Sequence, residues 1–236
     1  MIQFENVSKK YGREFVIKGM TFELSKGKIY GLLGPNGSGK STTLKMMAGL
    51  TQPTTGAVLI NGKKADRRIA NEVAYLTELD MFYESFNVMD MIRFTASQFT
   101  DFDVDKAQEL MTFMSLDRTK KIKQLSKGNR GRLKLVIALA RNTSILLLDE
   151  PFSGLDPIVR ESIVKGLISF VDFDHQTVVI ATHEIDEIEA LLDEVLVIQN
   201  GVILERRDVE RLREEEGLSV LKWMKQTIGD ERNLIE

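Results

Sequence analysis

The chain has 236 residues, 43% hydrophobic and 28% charged, with 32 basic against 35 acidic side chains for a net charge of −3. That is the profile of one ordinary globular domain, or of one domain with a lobe inserted in it. The near-neutral balance argues against nucleic acid as a partner, because phosphate backbones select a basic surface. Cysteine is absent, which excludes disulfide scaffolds, zinc ribbons and cysteine nucleophiles. The two histidines, His175 and His183, are too few for a histidine-rich metal centre. No apolar run approaches the roughly 18 residues that a membrane span needs. The opening MIQFENVSKKYG lacks the apolar middle of a signal peptide, so the chain is expected to stay in the cytosol, held at a membrane only by a partner.

Taken in chain order, the first strong signal is an apolar, branched run over 29–33, read as a buried strand. A helix-period segment over 40–50 follows it, then a second strand over 57–60. From Asn87 to Arg141 the pattern turns helical, with segments over 103–113 and 130–141. Asn87 followed by Asp90 resembles an N-terminal cap signal. This stretch predicts a helical lobe, 87–141, inserted between the two halves, 1–86 and 142–204, of one α/β core. Met81, Met89, Met91, Met111 and Met114, interleaved with Phe82, Phe86, Phe94 and Phe99, fit the core of that lobe or a soft groove for a partner's helix. Strands are expected over 145–148, 178–181 and 195–198, with a helical segment over 184–192. Asn200-Gly201 marks a hairpin turn. The extension 205–236 is charged, then apolar at Leu218, Leu221 and Met224. It reads as a helix lying on its own core, with a dimer contact as the sharper alternative.

Two motifs carry chemistry. Gly34-Pro35-Asn36-Gly37-Ser38-Gly39-Lys40-Ser41 matches the phosphate-loop pattern at every fixed place, between a strand and a helix. Glycines let successive backbone N–H groups turn inward onto phosphate oxygens, and the helix start adds the positive end of its dipole. Lys40 supplies a point charge for the β- and γ-phosphates, and Ser41 a hydroxyl for Mg²⁺. The second motif is the run over 145–148 ending in Asp149-Glu150. Parallel sheets bind ligands beyond the carboxyl ends of their strands, so Asp149 is expected beside the phosphate loop, holding Mg²⁺. Glu150, one residue on, is placed to align or deprotonate an attacking water.

Three further segments fall into order with these: Leu125-Ser126-Lys127-Gly128-Asn129, Ser153-Gly154-Leu155-Asp156, and Thr182-His183 at the end of a strand. As an ordered set, from Tyr11 to about Leu204, they resemble the nucleotide-binding subunits of ATP-binding cassette (ABC) transporters. The resemblance implies an α/β, P-loop NTPase (RecA-like) core with a mixed sheet and an inserted α-helical subdomain. It implies an ATPase that uses ATP and Mg²⁺ and sits at the cytoplasmic face of the membrane on a separate transmembrane permease. Two subunits, identical or not, would close head to tail around two ATP molecules. By the same resemblance Tyr11 stacks on adenine, Val16 lies beside the ribose, and Gly34 to Thr42 hold the phosphates. Ser126, Lys127, Gly128 and Asn129 reach the partner's γ-phosphate. Ser153, Gly154 and Asp156 link the two sites, and His183 is the switch histidine that contacts the γ-phosphate, catalytic together with Glu150 and Lys40.

The chain departs from the family at two places. Glu78 stands where a glutamine is usual, keeping an oxygen for Mg²⁺ and adding a charge beside the triphosphate. The signature reads LSKGN rather than LSGGQ, and Lys127 resembles exporters of the ABC-2 type, many of which move small peptides, antibiotics or lipids. Glu78 and Asn129 together also fit a regulatory or degenerate half of a heterodimer. A non-transport ABC clamp is the remaining alternative, disfavoured by a single cassette and no heptad insertion.

Overall fold

The computed structural model describes residues 1–186 and 188–230. The chain opens with two long strands, β1 (Ile2–Tyr11) and β2 (Glu14–Leu24), then β3 (Ile29–Leu33), α1 (Lys40–Met47), β4 (Thr55–Ile60), β5 (Lys63–Lys64) and β6 (Val73–Leu76). The lobe follows as α2 (Val88–Gln98), α3 (Val104–Phe113) and α4 (Lys127–Leu139). The chain then returns as β7 (Ile145–Asp149), α5 (Pro157–Phe170), β8 (Thr177–Thr182), β9 (Glu194–Gln199) and β10 (Val202–Asp208), and ends in α6 (Val209–Glu216) and α7 (Val220–Asp230).

The strands form two sheets. One has the order β2-β1-β4-β5, with every pairing antiparallel. The other has the order β10-β9-β3-β8-β7-β6 and is parallel except for the β9–β10 hairpin at its edge. β3, β7 and β8 are buried on both faces, as parallel strands covered by layers on each side must be. One apolar cluster places Leu44, Met46 and Met47 of α1 with residues of both sheets. The other places the opposite face of the parallel sheet against α5 and the lobe, where Met91, Met111 and Met114 are buried.

β1 and β2 were not foreseen. Their pairing shifts register between Phe4 and Val7 and again between Val7 and Lys9, and Asn6 sits in the left-handed region at φ 48°. Such bulges break the period-two alternation by which a half-buried strand is recognised. The lobe's first cap forms as a full capping box: Asn87 Oδ1 accepts from Asp90 N at 2.7 Å, and Asp90 Oδ2 accepts from Asn87 N at 3.1 Å.

The helix expected over 184–192 is corrected. Residue 187 lies outside the described residues; among the described ones no α-helix is assigned, and a 3₁₀ turn, Glu189–Leu191, follows a turn in which Glu189 N donates to the Ile185 carbonyl at 3.0 Å. β8 and β9 both run parallel to β3 and flank it, so this connection must recross the sheet and step past β3. Strands of this length cover about 20 Å, and the sideways step adds about 10 Å. A helix over 184–192 would advance only about 14 Å and leave almost no chain for the turns. Ile185, Ile188 and Leu192 are buried at helix-like spacing without a helix.

The extension also differs at its start, because β10 runs on to Asp208 before the helices begin. In α7, Val220 and Trp223 are buried, and Leu218, Leu221 and Met224 lie half-buried against the core. Trp223 Nε1 donates to Glu205 Oε2 at 3.0 Å, tying α7 to β10. Residues 231–236 of the expected extension lie outside the described residues.

Candidate active site

The ends of β3, β7 and β8 lie side by side, because β8 pairs with both neighbours in parallel register. Whatever follows these strands is therefore delivered to one edge of the sheet. Gly34 through Ser41 follow β3, Asp149 and Glu150 close β7, and Thr182 and His183 close β8.

Gly34 has φ 148° and lies so close to the Ile198 carbonyl that a Cβ would collide with backbone. Only glycine permits that approach. α1 starts at Lys40, directly after the loop, so its unpaired N–H groups face the cradle. The Lys40 side chain is 6% exposed. Its Nζ donates to the carbonyls of Gly34 at 2.8 Å and Pro35 at 3.2 Å and lies 3.6 Å from Glu150 Oε1. Burial pushes this ammonium below its ordinary value, against the pull of Glu150, Asp149 and Glu78. The Ser38 hydroxyl is buried without a hydrogen-bond partner. An orphaned donor and a cation folded back on its own loop are both what an anion such as a phosphate would satisfy.

Ser41 Oγ donates to Asp149 Oδ1 at 2.9 Å, and Tyr75 donates its hydroxyl to Asp149 Oδ2 at 2.8 Å. Burial first, then the carboxylate's charge, push the Tyr75 phenol up, so it stays a neutral donor. Ser41, Asp149 and Glu78 are hard oxygen donors, the type Mg²⁺ selects, and Mg²⁺ takes one or two protein carboxylates beside substrate phosphates. Among the described residues no three acidic or histidine side chains gather into an all-protein cage.

Glu150 turns its chain at φ 48°, a conformation that costs a side-chain-bearing residue about 1 kcal/mol. The turn is held by Glu150 N donating to the Ala181 carbonyl at 2.8 Å. It directs the carboxylate across the ends of β7 and β8. Glu150 Oε2 accepts from Thr182 Oγ1 at 3.1 Å and lies 3.0 Å from His183 Nδ1. Glu150 is thus gripped on both oxygens, by Lys40 on one and by Thr182 and His183 on the other. A cavity of about 300 Å³ opens here, lined by Val16, Asn36, Gly37, Gly39 to Thr42, Glu78 and Glu150.

Two groups of expected site residues lie apart from this cavity. Tyr11 is exposed at the end of β1 with Lys9 Nζ 4.9 Å above its ring, and does not line the cavity, whereas Val16 does. The signature also lines none of it. Ser126 caps α4, its Oγ accepting from Asn129 N at 3.3 Å, so the helix begins inside the signature rather than near Arg130 as expected. Arg132 Nη1 donates to Asn129 Oδ1 at 3.3 Å. The Lys127 ammonium lies where a Cβ on Gly154, at φ 63°, would stand, so the signature rests on the Ser153–Asp156 loop of its own chain. Asp156 caps α5 by accepting from Val159 N at 3.0 Å. A second depression, about 420 Å³, is lined by Lys127, Ser153 and Leu155 together with Glu78 and Glu150.

Sequence reasoning missed Tyr75, because its partner lies on the neighbouring strand and no spacing rule reports that. It also missed the ties between the Glu78 segment and α4. Arg130 pairs with Glu84 at 2.8 Å, Lys134 pairs with Asp80 at 2.8 Å, and Lys134 Nζ donates to the Glu78 carbonyl at 2.6 Å. Opposite charges flanking both segments were the available signal.

The profile of the ABC transporter family matches residues 17–153. A Nod factor export ATP-binding protein of Burkholderia orbicola is 35% identical over 209 residues, 85% of this chain and 68% of that protein. A lantibiotic transport ATP-binding protein of Streptococcus pyogenes is 31% identical over 209 residues, 87% of this chain and 90% of that one. Among solved structures, an ATP-binding subunit of an ABC transporter superposes with a TM-score of 0.84 at 24% identity, over 98% of each chain. A dimeric post-hydrolysis cassette bound to ADP and phosphate superposes with a TM-score of 0.80 at 23% identity, over 89% of this chain and 99% of that one. No helix among the described residues is long and apolar enough to cross a membrane. With a family profile spanning more than half its length and a phosphate loop, the Asp149 carboxylate and a Glu150–His183 pair meeting at one sheet edge, the chain belongs to the ABC transporter family as an ATP-binding, ATP-hydrolysing subunit.

Proposed function

We propose that this ATPase works as one half of a head-to-tail dimer closed around two Mg-ATP, and that it drives export through a separate membrane permease at the cytoplasmic face. The observation that carries the dimer is the division of the site. Lys40, Ser41, Asp149, Glu150 and His183 converge within one chain, while Ser126 to Asn129 line none of that cavity. A second copy brought face to face would supply the missing donors: the Ser126 hydroxyl and the first N–H groups of α4, whose positive dipole end suits an anion. The similar cassette solved as a dimer with ADP and phosphate supports a dimeric state.

In this reading Lys40 binds the β- and γ-phosphates and offsets their charge, with the loop N–H groups beside it. Ser41, Asp149 and Glu78 would hold Mg²⁺, which when bound offsets charge on the phosphate oxygens. Glu150 accepts the proton of the attacking water, and His183 holds the Glu150 carboxylate toward the γ-phosphate position. Val16 borders the sugar end, and Tyr11 reaches the base only when the β1–β2 turn swings inward.

Export is supported by the relatives that serve Nod factor export and lantibiotic transport. A small peptide, antibiotic or lipid as cargo is the reading that the ABC-2-like Lys127 supports. The permease contact we assign to an apolar groove of about 350 Å³ between core and lobe, lined by Leu50, Leu79, Met81, Phe82, Phe94 and Phe99 among others. Leu50, Leu79 and Met81 expose 60–73% of their area, unusual for large apolar groups without a partner. The opposed reading, a regulatory half of a heterodimer, is favoured by Glu78 and Asn129, which replace the two glutamines usual at those places.

The decisive experiment is light scattering on Glu150→Gln with and without Mg-ATP. A shift from monomer to dimer on adding nucleotide supports two complementary copies. A persistent monomer that binds ATP points to a different partner cassette or to closure that needs the permease, and co-purification from membranes separates the two.

A further inference from the structure

We infer that Tyr75 is a positioning residue for the metal carboxylate: its hydroxyl clamps one oxygen of Asp149 and leaves the other oxygen facing Ser41. The inference rests on the reading above that Ser41, Asp149 and Glu78 hold Mg²⁺.

Asp149 is 3% exposed, so water does little to fix its orientation. Its two oxygens are divided between two donors. Ser41 Oγ lies 2.9 Å from Oδ1, and the Tyr75 hydroxyl lies 2.8 Å from Oδ2. A carboxylate can rotate about its last bond, and a donor on one oxygen sets where the other points. The Ser41 hydroxyl can donate to Oδ1 and still offer its lone pairs to a cation, but one contact on one oxygen does not by itself fix the carboxylate's plane. Tyr75 can define it: its single proton goes to Asp149, and the side-chain hydrogen bond it shares with Thr77 leaves that proton in place.

The sheet makes this reach possible. β6 and β7 are parallel with Tyr75 opposite Leu147, so the phenol shares a face with residue 149 and extends one pleat forward to it. Tyr75 also stands three residues before Glu78 on the same segment. Its hydrogen bond therefore ties the element that carries Glu78 to the strand that carries Asp149, fixing the spacing of two of the three oxygen donors. β6 is the edge strand of its sheet, paired on one side only, so it has no second neighbour to hold it in register. A buried phenol always seeks some partner, and the test must separate that plain role from positioning.

The test is Tyr75→Phe, which keeps the ring and removes the hydroxyl. Binding of Mn²⁺ in the presence of ATP is followed by electron paramagnetic resonance, and binding of a fluorescent ATP analogue is titrated with Mg²⁺ and repeated in EDTA. Losing an outer-shell partner of a metal ligand costs about 10- to 100-fold in metal affinity. We expect both metal midpoints to rise by that factor, with metal-free nucleotide affinity unchanged. Tyr30→Phe is the control, since that buried phenol accepts from Ser25 N at 2.8 Å away from the site; its midpoints should match wild type. Wild-type midpoints in Tyr75→Phe, or equal shifts in both variants, would overturn the assignment. A wild-type chain whose ATP affinity ignores both metals would instead overturn the metal reading beneath it. If the phenylalanine chain does not fold, 3-fluorotyrosine at position 75 replaces it. A stronger donor on the same frame lowers the midpoint, and an unmoved midpoint counts against the proposal.

Discussion

The sheet edge and the signature segment, which we propose meet the same nucleotide across a dimer, are finished to different degrees within one chain. At the sheet edge two carboxylates are already held by other side chains: Ser41 and Tyr75 hold Asp149, and Lys40, Thr182 and His183 hold Glu150. At the signature the polar groups turn back on their own helix and loop. Ser126 caps α4, Asn129 accepts from Arg132, and Lys127 lies over Gly154. The contrast teaches that strand pairing can assemble a hydrolytic centre by itself, because parallel register brings three strand ends together. A helix start in an inserted lobe has no such register with the sheet and must be matched by rigid-body docking.

The comparison is broken most severely at its finished half. Glu150→Gln removes the proton acceptor while keeping a neutral hydrogen-bonding group, and turnover should fall by about 10²- to 10⁴-fold. ATP binding measured by equilibrium dialysis should persist; loss of binding would mean that Glu150 holds the loop rather than the water. At the unfinished half, Ser126→Ala should leave ATP binding to the monomer intact and reduce turnover by about 10²-fold, the usual effect of losing one donor to developing charge. The same variant loses a helix cap, which costs about 1 kcal/mol in a denaturant titration. Unimpaired turnover would show that the signature serves no nucleotide.

Smaller effects sharpen the boundary between the two halves. Arg130→Ala cuts the pairs from α4 to Asp80 and Glu84, whose carboxylates are 44% and 57% exposed. Pairs so open to solvent contribute at most about 1 kcal/mol each. Stability should barely change, while hydrogen exchange in 77–84 should rise as that segment loosens from the lobe. Protection equal to wild type would mean that Lys134 alone secures it. The mildest change is Glu78→Gln, which is isosteric. It should raise the Mg²⁺ requirement slightly, because a neutral amide oxygen replaces a carboxylate donor, and alter turnover only modestly; the informative reading is transport with the permease present. Identical activity and identical coupling would make Glu78 a harmless variation.

Much of the site was legible because its chemistry depends on local spacing. The phosphate loop needs glycines at fixed intervals, and the Asp149-Glu150 pair announces itself by following four aliphatic residues. His183 was legible only in company, as the residue after a strand. Tyr75 and the Arg130–Glu84 pair were not legible, since each contact joins segments whose separation in sequence carries no information about their register. The expected helix over 184–192 failed for a related reason: its apolar spacing was right, but the distance the chain had to cover depended on the order of the strands.

The sequence by itself determined the phosphate cradle, the buried strands 29–33, 145–148 and 178–181 and the capping of the lobe, because loop conformation, branched-residue runs and caps act within a few residues of themselves. Only the tertiary structure decided that β3 lies between β8 and β9, that Tyr75 grips Asp149, and that the signature lines none of the cavity beside its own phosphate loop. Those outcomes come from the parallel register of strands far apart in sequence and from how the lobe settles on the sheet, and no local preference encodes either.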